Sequence, residues 1–464
     1  MTITLWRASL CCLLLSSFSS LVVAGKKEVE PKAKNTKPLL EDLRLTPVTT
    51  LEEALQSAFS TNSKLRSALF QEQAKSTGVN KAMSAFVPNL DASATRGASV
   101  EGQESTSNFF KASSYQNPYQ NDWRYEVGAR WNIFNFGVDT ARLMAAKEEA
   151  GVAEVDRKSA EQKLIIEVAE AYLNVIKAKE GVAVTGKFEQ QAAHSFKRVQ
   201  TEYTVGHSTR TNVLTAKSEL ALATSDRIRA EAEHTVALYA FQQIVGRPAG
   251  DLKDPHPSLN MPATFDEAVA MAECCSLQLL KDTKAYRASR FALSSAFGPF
   301  MPSVSLGAKF ANSHNNRVYE DPKYWRSEIW LAVSLNLFSG GKDFADLRAS
   351  HYGKESARFN LEHSRSDLKK NVAEAWHGLK SAKARHIQSQ LAVEAYNNAY
   401  EGAEEEFKLG QRAYLDLLKV QQQKLKADLG FIESKKQEVL SLFKLNAVIG
   451  TLAPETLGIK WEYQ

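Results

Sequence analysis

The sequence contains few cysteines and little net charge, and no long hydrophobic run follows its first residues. Four cysteines in 464 residues exclude a disulfide-rich secreted fold. Beyond residue 24, no stretch approaches the roughly 18 apolar residues of a membrane-spanning helix. The formal net charge of +5 is far below what nucleic-acid-binding proteins usually concentrate, so we expect no nucleic-acid partner. With 44% hydrophobic and 24% charged residues, the chain has the composition of a folded protein.

The sequence also lacks the motifs of catalysis and cofactor binding. It has no phosphate-binding glycine loop, no nucleophile elbow and no HExxH zinc motif. The nine histidines are scattered, and neither His377 nor His386 has a second ligand at metal spacing. We therefore expect no enzyme activity, no catalytic residue, no metal site and no cofactor.

Residues 1–24 have the three parts of a secretory signal peptide. Arg7 supplies the positive charge, residues 8–23 are apolar, and Val22-Val23-Ala24 is a small-residue cleavage site. An N-terminal membrane anchor is the alternative, but the apolar stretch is short and no stop-transfer pattern follows it. We expect export, with a flexible, mildly basic lead-in at 25–48 at the start of the mature chain.

Export would remove Cys11 and Cys12 and leave Cys274 and Cys275, which are adjacent. Adjacent cysteines rarely form a disulfide, because the bond geometry strains the peptide between them. We interpret this pair as two small residues on a helix.

The remainder of the chain is two copies of one unit. Residues 50–94 match 264–308 without a gap, and a second block beginning at Asn132 matches one beginning at Asn336. One register kept over more than a hundred residues indicates internal duplication. The predicted organisation is a signal peptide at 1–24, the lead-in at 25–48, a first repeat at 49–250, a linker at 251–263, a second repeat at 264–452 and a tail at 453–464.

Each copy is predicted to run helix, strand, loop, strand, long helix, turn and helix. The long helices, 137–203 and 341–407, contain no proline and carry a heptad seam typical of coiled coils. Shorter helices are expected at 51–85, 212–245, 265–298 and 413–449. Because two short helices equal one long helix in length, we expect 265–298 to continue 212–246 end to end.

Four segments of alternating hydrophobicity predict strands at about 88–97, 123–135, 302–312 and 327–339. Each is about as long as a transmembrane β-strand. A soluble hairpin with one buried face is the alternative, but the helices offer no obvious cover for the apolar faces. Four strands cannot close a barrel, and lipid does not tolerate open strand edges. A membrane barrel would therefore need two or three chains, giving eight or twelve strands.

In this order and spacing, the motifs resemble the TolC-type outer-membrane efflux proteins. The resemblance rests on Leu51-Glu52-Glu53-Ala54-Leu55, Phe86-Val87-Pro88, the segment 132–137 with its partner 336–341, and Phe407-Lys408-Leu409-Gly410 followed by Leu415-Asp416-Leu417-Leu418. It covers residues from about 50 to 450. It implies a mainly α fold with a transmembrane β-barrel, in which three chains form twelve strands continued by a long α-helical barrel. The location it implies is the outer membrane, extending into the periplasm.

The resemblance also implies a function and partners. A homotrimer embedded in outer-membrane lipid would export small molecules or proteins, as in efflux or type I secretion. A periplasmic adaptor (membrane fusion) protein and an inner-membrane pump or ATP-driven exporter would deliver the cargo. Two alternatives stay open from the residues alone: a soluble periplasmic coiled-coil scaffold or adaptor, and a surface adhesin built on a coiled coil.

Two sites are implied by the resemblance. The first is a pair of helix tips that contact the adaptor, at Tyr203, Val205 and Gly206 in the first copy and at Phe407, Leu409 and Gly410 in the second. Both glycines also end a helix where a positive φ is needed, so helix capping alone would explain them.

The second implied site is a periplasmic gate. Asp416 follows Gly410 by six residues, where the family places an aspartate at the tunnel constriction, and three copies would form a cation-selective acidic ring. Lys419 stands where the family often has a second acid, and it can pair with Asp416 at i,i+3. Asn212 occupies the matching place in the first copy. A gate and a solvated helical ion pair are both consistent with these residues.

Overall fold

The computed structural model describes residues 46–100, 119–255, 259, 261–316 and 323–459. The predicted signal peptide, all but the end of the lead-in, the last residues of the tail and the middle of the loops expected at 97–122 and 312–327 lie outside these residues. In the described part of the chain, no helix is both long and apolar enough to cross a membrane.

The two copies contain the same elements in the same order. In chain order they are α1 Leu51–Thr61, α2 Ser63–Met83, β1 Asn89–Val100, β2 Tyr119–Phe134, α3 Val138–Thr204, α4 Arg210–Val245, α5 Phe265–Cys275, α6 Leu277–Ala296, β3 Ser303–Asn316, β4 Lys323–Ser334, α7 Lys342–Lys408 and α8 Tyr414–Ile449. The long helices α3 and α7 have 67 residues each and are therefore about 100 Å long. Strand β4 ends at Ser334, before the end expected at 339.

The helices predicted at 51–85 and 265–298 are each divided in two, which corrects the prediction of single helices. Asn62 and Ser276 have extended backbones, with ψ of 119° and 121°. The Asn62 side chain accepts hydrogen bonds from the backbone N–H groups of Lys64 and Leu65 at 2.9 and 3.3 Å. The first backbone N–H groups of a helix have no partner within that helix, and the Asn62 side chain supplies one for two of them. A new helix can therefore begin at Ser63.

The predicted end-to-end continuation of 212–246 by 265–298 is wrong. Instead, the last helix of each copy ends against the first short helix of the same copy, and we call this contact the joint of that copy. Helix α4 ends at Val245, whose carbonyl accepts hydrogen bonds from Ser57 Oγ and Thr61 Oγ1 of α1 at 2.9 and 3.2 Å. Helix α2 starts directly beyond this joint. A parallel bridge between Val48 and Ala249 brings the start of the copy back to its own end. In the second copy, α8 likewise ends against α5 and is followed by α6.

The elements form three layers that follow one another along the long helices. In each layer, two elements of the first copy lie beside two elements of the second. In the layer nearest the turns that follow α3 and α7, the neighbouring helices run α4, α3, α8, α7. In the next layer they run α2, α3, α6, α7. The sheet is antiparallel, with strand order β1-β2-β3-β4. Each layer therefore begins with the first copy and ends with the second.

The largest buried cluster lies where the joint of the first copy packs on α3. Leu55, Phe59, Ile165 and Tyr172 are fully buried there. The Tyr172 hydroxyl lies 2.6 Å from the Lys253 carbonyl and 3.0 Å from the Thr49 carbonyl. Burial raises the pKa of Tyr172 to about 12, so it is a neutral donor at physiological pH. It fixes both segments that flank the first repeat onto the middle of α3.

Candidate functional site

The two turns at the far end of the helices have the same hydrogen-bond pattern. In the first, Gly206 N–H donates to the Tyr203 carbonyl at 3.1 Å and His207 N–H to the Glu202 carbonyl at 2.8 Å. In the second, the N–H groups of Gly410 and Gln411 donate to carbonyls of α7 in the equivalent way. Both are Schellman motifs, which require a left-handed residue after the helix. Gly206 and Gly410 meet that requirement, with φ of +82° and +74°.

These turns expose apolar side chains at the end of the helices. Tyr203, Val205 and Leu409 are 45%, 63% and 71% exposed. Exposed side chains this large, at the most distant point of a helical hairpin, are available for contact with another protein. Phe407 is different, because it is partly buried and packs against neighbouring helices.

Behind the turns, a small core joins all four helices. Val199 of α3, Ala216 of α4 and Tyr414 of α8 are buried together, and Phe407 of α7 packs on them. The Phe407 and Tyr414 ring centroids are 5.8 Å apart. Burial raises the pKa of Tyr414 to about 12, and the nearby Glu219 carboxylate adds to this shift. The relative position of the two turns is therefore set by packing rather than by the turns themselves.

Asp416 and Lys419 lie in the first turns of α8 and form an ion pair. Lys419 Nζ is 3.2 Å from Asp416 Oδ1, and both side chains are more than half exposed, at 75% and 53%. Asn212, at the matching place in α4, instead donates from Nδ2 to Ser208 Oγ at 3.3 Å. Among the described residues, no hydrogen bond or ion pair joins Asn212 to Asp416. The ion pair leaves the local charge balanced while both groups stay accessible to solvent.

Arg198 is a tip residue that the sequence motifs do not indicate. Its guanidinium lies 4.8 Å above the centre of the Phe407 ring, and Nη1 is 3.8 Å from Glu404 Oε1. It therefore links α3 of the first copy to α7 of the second. The position matching Arg198 in the second copy is Gly402, so comparing the two copies cannot single it out.

We expect Arg198→Ala to loosen the end of α7. A cation–π contact and a partly exposed ion pair together stabilise by about 1–2 kcal/mol, so local opening should rise about tenfold. Hydrogen–deuterium exchange of residues 404–411 in the solubilised protein measures this. Arg210→Ala is the matched control, because Arg210 is an exposed cation at the other turn with no ion pair among the described residues. Equal exchange in both variants would contradict the role of Arg198.

The described residues hold no group of three or more His, Cys, Asp or Glu side chains that could bind a metal ion. Cys274 and Cys275 are free, exposed thiols at the end of α5. A side-chain hydrogen bond with Cys274 raises the pKa of the Cys275 thiol, so it is a poor nucleophile at neutral pH.

A protein-family model and two related proteins each match most of the chain. The family model described as outer membrane efflux protein matches residues 54–247 and 270–451. The outer membrane efflux protein BepC of Brucella suis biovar 1 is 22% identical over 415 residues, which cover 89% of this chain and 87% of that protein. The outer membrane protein TolC of Escherichia coli K12 is 20% identical over 444 residues, covering 91% and 88%.

Solved structures show the same fold. The crystal structure of the Campylobacter jejuni CmeC outer membrane channel superposes with a TM-score of 0.73 at 18% identity, covering 86% of this chain and 85% of that one. This similarity confirms the predicted fold class of long helices with a membrane β-structure. Each of the two segments that the family model matches lies within one copy of the predicted repeat, at 49–250 and 264–452.

Proposed function

Since the chain belongs to the outer membrane efflux protein family, it is an outer-membrane export channel, and we propose that three copies form one continuous duct. The lumen would run through a twelve-stranded barrel and on through a helical barrel to the turns at Gly206 and Gly410. A periplasmic adaptor and an inner-membrane pump or ATP-driven exporter would deliver the cargo at those turns.

The observation that carries the proposal is that each chain has two open edges, one formed by the first copy and the other by the second. The edge of the first copy consists of α4, α2 and β1, one element in each layer. The edge of the second copy consists of α7 in both helical layers and β4 in the sheet. One edge differs from the other, so copies can join head to tail, and repeated joining around an axis closes a ring. Closure would pair β1 of one copy with β4 of the next and leave no strand edge in lipid.

Barrel width favours three copies over two. Eight strands enclose an interior that side chains nearly fill, whereas the lumen widens with each added strand. Two copies would give a plugged barrel, and three would leave a passage. Three copies also place three equivalent helical hairpin pairs in the ring below the sheet.

The register of the sheet supports a lipid-facing side and a lumen side. Aligned side chains on one face are apolar and exposed, among them Tyr125, Val127, Ile329, Leu331 and Val333. Their neighbours on the opposite face are mostly polar or small. This alternation is that of a membrane barrel whose interior is wet.

The exposed side chains at the turns are the docking surface that we propose for the adaptor. Tyr203, Val205 and Leu409 present apolar contact, and the glycines hold the turns that display them. Phe407 contributes indirectly by holding the second turn against Tyr414. Asp416, Lys419 and Asn212 lie within one to two helical turns of this surface, where a ring of three copies would narrow.

A soluble periplasmic scaffold, the alternative that the residues alone left open, does not fit the family of this chain and would leave the exposed apolar sheet face without a cover. Membrane fractionation separates the two. An outer-membrane channel requires detergent for its release, whereas a scaffold is recovered in the periplasmic extract.

We expect the detergent-extracted, assembled protein to contain three chains and to conduct ions. Native mass spectrometry measures the number of chains, and planar-bilayer recording measures conductance. Two chains or one, with no conductance, would overturn the duct. As a control for non-specific pores, protein heated until it dissociates should lose conductance together with its assembled mass.

A further inference from the structure

Trp330 is an exception on the polar face of the sheet. Among the residues of β4 whose side chains the structure describes, those on the face of Trp330 are Arg326, Glu328, Ala332 and Ser334. The facing residues of β3 are Ser305, Gly307 and Lys309. The other described tryptophans of the sheet, Trp123, Trp131 and Trp325, lie on the apolar face. Tryptophan at the lipid boundary of a barrel is common, but on the lumen side that explanation does not apply.

A glycine makes room for the Trp330 indole. A Cβ placed on Gly307 would lie 2.3 Å from the indole atoms Cε2 and Cζ2, so a larger residue there would displace the indole. The indole therefore lies across strand β3 rather than standing up from the sheet. Part of the ring system stays open to solvent, since Trp330 is 37% exposed.

Arg130 flanks the same glycine from the other side. The register pairs Arg130 with Gly307 and Gly307 with Trp330, so the three lie in one row across β2, β3 and β4. Adjacent strands are about 4.8 Å apart, so the Arg130 and Trp330 backbones are separated by about 10 Å. Since the indole extends over Gly307 towards β2, a ligand stacked on its exposed part would lie within reach of the Arg130 guanidinium.

Arg130 differs from the other cations of this face in having no acid partner. Lys309 Nζ lies 2.9 Å from Glu126 Oε2, Arg124 Nε lies 3.9 Å from Glu126 Oε1, and Arg326 pairs with Glu328. Among the described residues, Arg130 has no carboxylate oxygen within 4 Å. The Asp91 carboxylate lies over Gly128, one row further along the sheet.

We propose that Arg130 and Trp330 form a binding site for aromatic anions on the wall of the barrel. The aromatic ring of the ligand packs on the indole, and its carboxylate or sulfonate accepts hydrogen bonds from the Arg130 guanidinium. The location of this site in a lumen rests on the proposed function, and three copies would place three such sites at one height. Cargo of this class would thus meet weak, multiple sites on its way out, which favours passage over trapping.

The test is equilibrium dialysis of 2-naphthalenesulfonate against the assembled protein in detergent. Arg130→Gln and Trp330→Leu are each expected to lower the association constant about fivefold, the size of one exposed charge or stacking contact. The unmodified protein is expected to bind 2-naphthalenemethanol, which lacks the charge, and cyclohexanesulfonate, which lacks the aromatic ring, more weakly by the same factor. Native mass spectrometry confirms that each variant is assembled.

Arg124→Gln and Trp325→Leu are the matched controls. Arg124 is a paired cation of the same face, and Trp325 lies on the opposite face of the same strand as Trp330. Both controls should bind as the unmodified protein does. Equal binding by Arg130→Gln, Trp330→Leu and the controls would overturn the site. Conductance in the same preparation tests the duct separately, because a conducting protein without this binding keeps the proposed function and loses only the site.

Discussion

Gly450→Ala is expected to destabilise the second joint strongly enough to lower assembly of the protein. Gly450 ends α8 with φ +87°, a conformation that disfavours a side chain by about 1–2 kcal/mol. A Cβ there would also lie 2.1 Å from the carbonyl oxygen of Cys275, which belongs to the backbone and cannot turn away. Overpacking of this kind adds about 1–3 kcal/mol, so the total cost is about 2–5 kcal/mol.

Two further glycines make this prediction specific. Gly458 has φ +71°, and no atom lies within 4 Å of the position that a Cβ would take, so Gly458→Ala should cost only about 1 kcal/mol. Gly246, the equivalent of Gly450 in the first copy, would place its Cβ 2.6 Å from Thr61 Oγ1, a side-chain atom that can rotate. Gly246→Ala is therefore expected to lie between the other two variants.

Thermal loss of the assembled band, followed at one heating rate in detergent, measures this order. A single rate matters because unfolding of such assemblies is governed by kinetics. Equal melting of Gly450→Ala and Gly458→Ala would show that the joint at Cys275 does not limit stability.

The second residue of the cysteine pair lies at the joint of the second copy. Cys275 occupies the place of Thr61 in the other copy, at the end of a short helix where the closing glycine makes contact. The Cys275 carbonyl rather than its thiol lies against Gly450, and the Cys275 side chain is exposed. The sequence interpretation of two small helical residues agrees with this packing.

The long helices could be predicted to within one residue because their signals are local. A heptad seam runs through 137–203, and glycines at 206 and 137 mark its ends, next to the observed Val138–Thr204. The second long helix follows from the duplication, which transfers every boundary from one copy to the other. Such signals need no knowledge of which segments meet in space.

The joints and the proposed site at Trp330 depend on contacts that local patterns do not contain. No local pattern in residues 51–85 indicates that Asn62 caps a second helix instead of lying exposed within a single continuous helix. Likewise, counting the alternate residues 329, 331 and 333 identifies the apolar face but not what Trp330 meets on the other side. Only the register, with Gly307 opposite Trp330 and Arg130 beyond it, brings these residues together.

The two charged residues of the proposed gate lead to a prediction with opposite signs for two substitutions. In the assembled duct, Asp416 and Lys419 would neutralise each other in every copy, as their 3.2 Å ion pair does in one chain. Asp416→Ala then leaves three lysines near the constriction, and Lys419→Gln leaves three aspartates. A unit charge roughly 8 Å from the axis changes an ion's energy by about 0.5 kcal/mol in water, so three change local ion concentration about tenfold before screening.

We therefore expect Asp416→Ala to shift the reversal potential towards anion selectivity and Lys419→Gln to shift it towards cation selectivity. Single-channel conductance should rise in Asp416→Ala, because three unpaired lysines repel one another and widen the opening. Planar-bilayer recording across a salt gradient, near or below 0.1 M to limit screening, measures both quantities. The double variant Asp416→Ala with Lys419→Gln restores neutrality, so its reversal potential should return towards that of the unmodified channel. If the single variants keep the original reversal potential and conductance, the pair is a solvated feature of α8 and the constriction lies elsewhere.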